Sequence, residues 1–353
     1  MILKSLRLTS FKNHPDSIFE FGERVNCVLG KNGVGKTNLL DAIYYLSFTK
    51  SAVGSQDRLA ITHNQPAFTL FGQYEELTLA IQFEKGKVKT VKINGQEPDR
   101  LSDVIGQVPL VIVLPDDTSM IKEGSEDRRK FFDGALSQFD SEYLKSLMKY
   151  NKVLKQRNSL LKVEQGRSLN KKLLETYDDQ LIPLAQSISA KRKEMEEVFL
   201  PFLQKNYAAL HEGNEVPNLK FKSHVGGDFA QQFTANHPKD QIMQRTLLGS
   251  HKDDFEFLLD GELIKKFGSQ GQQKTFIIAL KLALYDFLKE RTGKTPLLLL
   301  DDIFDKLDDS RIALLVSILL DNKRFQQIFI SDARKDRSKE LFKSQKAIKF
   351  IDL

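Results

Sequence analysis

Apolar and polar residues alternate along much of the first 115 residues, and a period of two is typical of β-strands. Gly86 and the pair Asn94-Gly95 supply turns late in this region, which favours a β-meander. Residues 37–46 carry the spacing of a helix. The strands are predicted at residues 2–8, Val25–Leu29, Ala67–Tyr74, 77–83, 88–93 and 109–114.

From about residue 118 to 211, apolar positions recur every seven residues, which indicates helices with a coiled-coil-like seam. A turn-like break at 165–168 divides this region, so the pattern predicts an antiparallel helical hairpin. Pro183 and Pro201 are expected to kink or interrupt the second helix. The first seam consists of Leu147, Leu154 and Leu161, and the second of Leu174, Leu181, Ile188, Met195 and Phe202.

The last hundred residues return to helices and strands. The strand predicted at 296–300 contains four consecutive leucines without alternation, which is typical of a parallel strand buried on both faces. Residues 212–240 are rich in Gly, Asn, Pro and His and are predicted to be a connector with one strand at 219–224. Further helices are predicted at 275–288 and 310–320, and further strands at 327–330 and 347–351.

Length and cysteine content narrow the class of protein. A chain of 353 residues with 41% hydrophobic and 28% charged residues is long enough for two soluble domains. No apolar stretch approaches a bilayer span and no signal peptide is evident, so we expect a cytoplasmic protein without membrane partners. The single cysteine, Cys27, lies in an apolar run and is expected to be buried and inert.

Positive charge is concentrated in one segment. Residues 144–172 hold nine basic residues and one acidic residue, a balance of +8 against +6 for the whole chain. Lys145, Lys149 and Lys152 are spaced by four and three residues, so on a helix they form one stripe, which Lys155 extends. Such a stripe suits DNA phosphates, although a solvated helix face explains a charge run equally well.

The clearest chemical motif is Gly30-Lys31-Asn32-Gly33-Val34-Gly35-Lys36-Thr37, which fits G-x-x-x-x-G-K-[S/T]. Its glycines allow backbone N–H groups to surround phosphates at the start of a helix. Lys36 is predicted to contact the β- and γ-phosphates of ATP, and the Thr37 hydroxyl to bind Mg²⁺. The predicted nucleotide-binding residues are Gly30, Lys31, Asn32, Gly33, Val34, Gly35, Lys36, Thr37 and Asn38.

A second motif, Asp301-Asp302, directly follows the leucine strand. An acid at the end of a buried strand is where a Walker B aspartate holds Mg²⁺, so Asp301 is predicted to bind the metal. Asp302 is placed to orient or deprotonate the attacking water, and Lys36 completes the predicted catalytic set. Paired acids could instead cap the next helix, but the phosphate loop in the same chain favours catalysis.

Between these motifs stands Ser269-Gln270-Gly271-Gln272, which resembles the signature motif of ABC ATPases. Ser269 is a good N-cap, and the positive end of the helix that follows attracts anions. The resemblance implies that this segment binds the γ-phosphate of ATP held by a second subunit. Asp308 lies at the position of the D-loop. Transporter-type domains carry a histidine after the last core strand, and this chain has Ile330-Ser331-Asp332 there.

These motifs belong to longer stretches that match one family of bacterial proteins. The stretches run in order along the chain at 8–14, 30–43, 93–95, 128–133, 150–158, 249–254, 269–274 and 300–308. On these residues the chain resembles the RecF family, in which the doubled aspartate is the usual form. Ser250 and Lys252 replace that family's proline and arginine, and Lys306 stands where an acid is usual.

The resemblance implies an α/β fold, an ABC/SMC-type P-loop ATPase head with a β-rich sub-lobe and an inserted helical-hairpin domain. The head would combine 1–115 and 235–353, and the arm and connector would occupy 116–234. ATP and Mg²⁺ would drive a homodimer that clamps gapped DNA or single-strand/double-strand junctions, and slow, DNA-stimulated hydrolysis would reset it. The family helps load recombinase with RecR and RecO-type mediators, in recombinational repair, fork maintenance and SOS induction.

Other classes fit less well. The stretch from Thr37 to Ser269 is far longer than an ABC transporter subunit needs, and the heptads are far too few for an SMC protein. The segment after Asp302 is too short for a nuclease domain. A DNA clamp of another process, such as phage defence, with the same chemistry stays the open alternative.

Overall fold

The computed structural model describes residues 1–54, 56–162, 170–211, 213–304, 308–343 and 347–353, so the turn predicted at 165–168 lies outside them. The first elements are β1 (Leu3–Phe11), β2 (His14–Glu20), β3 (Val25–Leu29), α1 (Lys36–Phe48), β4 (Ala67–Tyr74), β5 (Thr78–Glu84), β6 (Thr90–Ile93) and β7 (Leu110–Val113). The middle elements are α2 (Ser119–Lys122), α3 (Ser125–Ser137), α4 (Ser141–Leu161), α5 (Lys171–Leu210), β8 (Pro217–Lys222), α6 (Phe229–Ala235), α7 (His237–Met243), β9 (Asp254–Leu259), β10 (Glu262–Leu263), α8 (Ile264–Phe267) and α9 (Gln270–Thr292). The last are β11 (Leu297–Leu300), α10 (Asp309–Leu319), β12 (Ile328–Asp332), α11 (Lys335–Leu341) and β13 (Ile348–Asp352).

The chain divides into two compact units. The first comprises Met1–Asp117, Lys205–Asn214 and Lys274–Leu353, and the second comprises Thr118–Gln204 and Glu215–Gln273. The predicted limits of the head, 1–115 plus 235–353, and of the arm, 116–234, stay a prediction. The compact units instead divide the chain after Asp117 and after Gln273. The end of α5 and the residues that follow it, Lys205–Asn214, belong to the first unit.

The first unit contains two sheets. The antiparallel sheet has the order β2-β1-β4-β5-β6, and the second has the order β13-β3-β12-β11-β7. β11 pairs in parallel with β7 and β12, as the leucine run predicted. One core of fully buried side chains runs from Phe68 through Ile43 of α1 to Leu299 and Phe329. Burying each such side chain contributes roughly 1.5–3 kcal/mol, so α1 is held firmly between the sheets.

The parallel sheet decides where the predicted motifs meet. β12 pairs in parallel with β3 on one side and β11 on the other. Parallel strands all end at the same edge, so the loop after β3 and the acids after β11 leave the sheet together. This edge is where open α/β sheets bind their ligands.

The second unit is mainly helical, with a small antiparallel sheet of order β10-β9-β8. Phe132 of α3 stacks on Phe255 of β9 with ring centroids 3.9 Å apart, and meets Phe199 of α5 edge-on at 5.6 Å. The strand predicted in the connector at 219–224 is present as β8, but helices α6 and α7 begin within the same segment and were not predicted. β9 was also missed, although its buried Phe255, Phe257 and Leu259 alternate as a strand's residues do.

Helix α5 runs through Pro183 and Pro201 without a break, so the predicted interruption is wrong. Both prolines lie on the exposed face, where the carbonyl freed by each proline can bond to water. The buried seam of Leu174, Leu181, Ile188 and Met195 confirms four predicted positions, and Phe202 is half-buried. Within the described residues, no helix combines the length and apolarity needed to cross a membrane.

On helix α4 the predicted seam of three leucines is only partly buried. Leu147 and Leu154 are only half-buried, whereas the third predicted position, Leu161, is buried and is confirmed. Tyr143, Tyr150 and Arg157 form a further buried column. The spacing of seven is correct, but aromatic and charged residues share the buried face with Leu144, Val153 and Leu161. Hydropathy misses Arg157 because its burial depends on partners far away in the sequence.

Candidate nucleotide-binding and catalytic site

The predicted phosphate loop connects the end of β3 to the start of α1. Gly33 and Gly35 have φ of 84° and 114°, in the left-handed region that favours glycine. At Gly30, an added Cβ would lie 2.7 Å from a methyl group of Val34. Glycine at these positions allows a tight backbone curl whose N–H groups can face a phosphate.

Lys36 lies at the first position of α1 and is 5% exposed. Its Nζ donates to the carbonyl oxygens of Gly30 at 3.1 Å and Lys31 at 3.3 Å, and to Asn32 Oδ1 at 3.5 Å. All three acceptors are neutral. A cation held this way can exchange them for charged phosphate oxygens, which make stronger hydrogen bonds.

Thr37 and Asp301 meet at the same edge of the sheet. The Thr37 hydroxyl donates to Asp301 Oδ2 at 2.7 Å, although 264 positions separate the two residues. Asp301 is 2% exposed, directly after β11. A hydroxyl and a carboxylate are hard oxygen ligands, so this pair fits the Mg²⁺ that the sequence predicted.

Ser331 connects the two predicted acids. Its hydroxyl donates to Asp301 Oδ1 at 2.5 Å and accepts the backbone N–H of Asp302 at 2.9 Å. Sequence reasoning noted this position only because it lacks a histidine, and missed its contacts. They arise because β12 lies beside β11, a pairing that no local pattern reveals.

Asp302 adopts φ 43°, which is uncommon for a residue other than glycine. The Ser331 hydrogen bond holds its backbone in this conformation. Sparsely populated backbone conformations cluster at functional sites, because surrounding structure must hold them there. The geometry therefore suits the role predicted for Asp302, orienting or activating water.

The turn between β1 and β2 lies against the phosphate loop. Asn38 donates its side-chain amide to Asn13 Oδ1 at 2.7 Å, so the predicted nucleotide contact of Asn38 is accompanied by a contact to this turn. His14 is buried with Nε2 3.2 Å from the carbonyl oxygen of Gly35. Burial lowers the pKa of His14, which favours a neutral ring that donates to this carbonyl.

Cys27 and Asp332 occupy the interior beside the loop. Burial, assisted by the Asp332 carboxylate, raises the pKa of the Cys27 thiol to about 12. The predicted burial of Cys27 is thus confirmed. Burial of Asp332 favours its neutral acid, yet hydrogen bonds from Arg337 and Ser338 hold the pKa of Asp332 below its usual value.

The predicted signature segment forms the start of α9 and belongs to the second unit. The Ser269 hydroxyl accepts the N–H of Gln272 at 3.2 Å, while Gln272 Oε1 accepts the N–H of Ser269 at 2.6 Å. This reciprocal pair is a capping box, so the expected N-cap is present. Ser269 and Gln270 are exposed, and Gly271 is half-buried.

Asp308, at the predicted D-loop position, is the N-cap of α10. It accepts from the Ser310 hydroxyl at 2.7 Å and the Arg311 N–H at 2.9 Å. These bonds lower the pKa of the Asp308 carboxyl. The preceding residues 305–307 of the predicted D-loop lie outside the described residues.

The four lysines of the predicted DNA-binding stripe, Lys145, Lys149, Lys152 and Lys155, all lie exposed along α4. Lys145 pairs with Glu142 at 2.6 Å in an exposed ion pair worth little, so this pair leaves the lysine able to contact phosphates. Arg157, from the same basic segment, is instead fully buried between Asp178 and Asp240. It contributes to the interior of the unit and not to a basic surface.

A glycine-rich loop, a buried strand-end acid and a second sheet over α1 define a P-loop ATPase head of the ABC/SMC type. A family model for the RecF/RecN/SMC N-terminal domain matches residues 2–350. DNA replication and repair protein RecF of Cytophaga hutchinsonii is 44% identical, covering 98% of this chain and 92% of that protein. The RecF protein of Flavobacterium johnsoniae is 42% identical, and the match covers 98% of this chain and 97% of that protein. The chain belongs to the RecF family of ABC/SMC-type ATPases.

Solved structures agree with this assignment. One described as the recombination mediator protein RecF-ATP in the RecFOR pathway is 31% identical, with a TM-score of 0.83, and covers 94% of this chain and 93% of that chain. An Smc head bound to the C-winged helix domain of ScpA has a TM-score of 0.55 at 17% identity and covers 95% and 90%. The second likeness shows the fold alone.

Proposed function

We propose that this protein is an ATP-dependent DNA clamp of recombinational repair and replication-fork maintenance. Membership in the RecF family makes it an ATP-binding protein of DNA replication and repair. In the proposed cycle, ATP joins two chains around gapped DNA, and slow hydrolysis releases them. The observation that carries the ATPase part is the 2.7 Å contact between Thr37 and Asp301 beside the phosphate loop.

ATP binding follows from the neutral partners of Lys36. The lysine exchanges loop carbonyls for the β- and γ-phosphates, and loop N–H groups donate to the same phosphates. Thr37 and Asp301 would hold Mg²⁺, which neutralises charge on the phosphate oxygens. Ser331 keeps the Asp301 carboxylate in place from the opposite side.

Hydrolysis would use Asp302 to orient or deprotonate the attacking water. Its carboxylate is one methylene shorter than the glutamate common in ABC ATPases, so we expect turnover below roughly 1 s⁻¹, stimulated by DNA. Asp302→Asn should retain ATP binding and trap the dimer, because the amide keeps the shape but not the basicity. Hydrolysis by this variant at the parent rate would exclude Asp302 as the base.

Dimerisation is the central test. The signature segment around Ser269 would meet the γ-phosphate of ATP on a second chain, so ATP would hold two chains together. Light scattering should show a monomer without nucleotide and a dimer with ATP and Mg²⁺. Ser269→Arg places a bulky cation at the helix start and should abolish the dimer while ATP still binds. A chain that stays monomeric at micromolar concentration with saturating ATP would contradict the proposal.

DNA would be held by the lysine stripe of α4. The four side chains are exposed on one face, and lysine contacts to phosphates carry little base information. Binding should therefore favour DNA structure over sequence. It should also weaken steeply with salt, because each phosphate contact releases counterions.

The triple reversal Lys145→Glu, Lys149→Glu and Lys152→Glu tests this surface. Affinity for gapped DNA should fall at least tenfold and the salt slope should decrease by about 2–3, while ATP-driven dimerisation persists. The matched control reverses Lys85, Lys87 and Lys92, which are exposed in the first unit. If both triple variants lose DNA binding equally, net charge and not the stripe is responsible.

The cellular role would be to help load recombinase, with RecR and RecO-type partners, in the cytoplasm, linked to SOS induction. The alternative is a DNA clamp of another process, such as phage defence, with the same chemistry. Co-purification with a RecR-type protein in the presence of ATP and gapped DNA separates these roles. A clamp that binds DNA but no such mediator favours the alternative.

A further inference from the structure

The turn between β1 and β2 contacts the backbone carbonyls of the predicted phosphate loop. Phe11 and His14 form the last pair of the two strands, so Lys12 and Asn13 make the turn itself. Lys12 has a φ of 51°, and nearby Ser10 has a φ of 53°. Two uncommon backbone conformations so close together indicate that surrounding contacts hold this turn in place.

Asn13 uses both ends of its amide. Its Nδ2 donates to the carbonyl oxygen of Val34 at 2.9 Å, and its Oδ1 accepts from Asn38 Nδ2 at 2.7 Å. One side chain therefore joins the phosphate loop to the first turn of α1. His14 adds the neighbouring contact to the Gly35 carbonyl at 3.2 Å.

Holding these two carbonyls sets the direction of two N–H donors. A trans peptide group is planar, and its C=O and N–H point in opposite directions. When Asn13 holds the Val34 carbonyl, the N–H of Gly35 points away from the turn. When His14 holds the Gly35 carbonyl, the N–H of Lys36 does the same. These are donors of the kind that phosphate loops direct at their ligand.

The turn packs against the loop without space for a side chain between them. A Cβ at Gly35 would lie 2.5 Å from Asn13 Nδ2 and 2.9 Å from His14 Nε2. The turn is also tied to α1, since Lys12 Nζ pairs with buried Asp41 at 2.6 Å. Asp41 in turn accepts the Ser51 hydroxyl at 2.7 Å, so the middle of α1 is tied both to this turn and to the segment that follows the helix.

We propose that Asn13 is a positioning residue for nucleotide binding, which fixes the Val34–Gly35 peptide of the phosphate loop and joins it to Asn38. The inference rests on the proposed binding of ATP by this loop. Asn13 acts on the carbonyl side of the loop, and the nucleotide meets its N–H side. Loss of Asn13 should therefore loosen the loop without removing a charged contact.

Two variants test the hydrogen bonds of the Asn13 amide. Asn13→Asp has the same shape and still accepts from Asn38, but it cannot donate to Val34 and adds a negative charge that itself repels phosphates. Asn13→Ala loses both bonds. We expect ATP affinity to fall about tenfold in both, the size expected for lost hydrogen bonds that organise a site. KM for ATP should rise by the same factor, with kcat at saturating ATP changed less than about twofold.

Thermal unfolding distinguishes positioning from a structural role. The unfolding temperature without ATP should stay within about 2 °C of the parent. The rise in unfolding temperature caused by a fixed concentration of ATP should be smaller than in the parent. Gln82→Ala, an exposed change on β5, serves as control and should alter neither value. An equal loss of stability with and without ATP would overturn the proposal.

Lys36→Met tells the two proposals apart. If Lys36→Met abolishes ATP binding but both Asn13 variants bind ATP like the parent, the positioning role is wrong and the nucleotide site stands. If Lys36→Met also binds ATP like the parent, the loop is not the nucleotide site and both proposals fail. Weakened binding in the uncharged Asn13→Ala variant, together with an intact kcat, supports the inference.

Discussion

Two sets of buried charges, one at the predicted nucleotide site of the first unit and one in the second unit, are stabilised in opposite ways. In the first unit, Lys36 donates to neutral oxygens and Asp301 accepts from the neutral hydroxyls of Thr37 and Ser331. In the second unit, Arg157 bonds to two carboxylates, Asp178 at 2.6 Å and Asp240 at 2.7 Å. Arg192 likewise contacts Asp133 and Asp253, both at 2.8–3.0 Å.

The difference separates binding charges from structural ones. A charge neutralised by its own chain has little to gain from a ligand, and removing one partner leaves the other unpaired. A charge held by neutral groups keeps its full attraction for a phosphate or a metal ion. The surroundings of a buried charge, more than its burial, thus indicate which residues serve function here.

The largest effect is expected when a structural charge of the second unit is removed. Arg157→Met keeps much of the volume but leaves Asp178 and Asp240 buried without the guanidinium that pairs with both. We expect the free energy of unfolding to fall by about 3–5 kcal/mol, measured by chemical denaturation. Lys155→Met, exposed on the same helix, should change it by less than about 0.5 kcal/mol. Equal effects of the two variants would contradict the comparison.

Lys36→Met should show the opposite profile. ATP affinity should fall about a hundredfold, because a charged hydrogen-bond donor to the phosphates is removed. Titration with a fluorescent ATP analogue measures this change. The free energy of unfolding should stay unchanged or rise, because a buried cation without a carboxylate partner is replaced by an apolar chain. Lys92→Met, exposed on β6 of the same unit, should change affinity less than about threefold. A large loss of stability in Lys36→Met would place this residue with the structural charges.

Ser331→Ala tests the contribution of the neutral hydrogen-bonding groups at the predicted nucleotide site. The variant removes a neutral donor to Asp301 and the acceptor for the Asp302 N–H, so kcat should fall about tenfold. ATP affinity should change little, because Ser331 lies behind the acids. Ser317→Ala on the exposed face of α10 is the matched control. An unchanged kcat would show that Asp301 and Asp302 hold their positions without this bond.

The smallest effect concerns pH. Burial lowers the pKa of His251 to about 4, and its ring contacts the Tyr150 hydroxyl at 2.7 Å and the Thr246 carbonyl at 3.0 Å. The unfolded chain binds this proton more readily, so the stability contribution is complete above about pH 6.5 and is lost as pH falls towards 4. His251→Gln should reduce the pH slope of the unfolding free energy by up to one proton in this window. A slope equal to the parent's would show that His251 does not titrate there.

Contiguous motifs were predictable from the sequence because local geometry dictates them. The phosphate loop needs glycines beside a strand and a helix, and all these residues are neighbours in the chain. The leucines of β11 also predicted a parallel strand, since burial on both faces removes alternation. The position of Asp301 at its end followed from the same pattern.

Contacts between distant segments were decided by the tertiary structure alone. Ser331 reaches Asp301 because β12 lies beside β11, and Asn13 reaches Val34 because the β1–β2 turn packs on the loop. Arg157 has the same charge as Lys155 two positions away, and only the folded chain places carboxylates around one and water around the other. Sequence by itself determined which groups are available for chemistry, and packing decided which were neutralised, because electrostatic energy depends on distance in space.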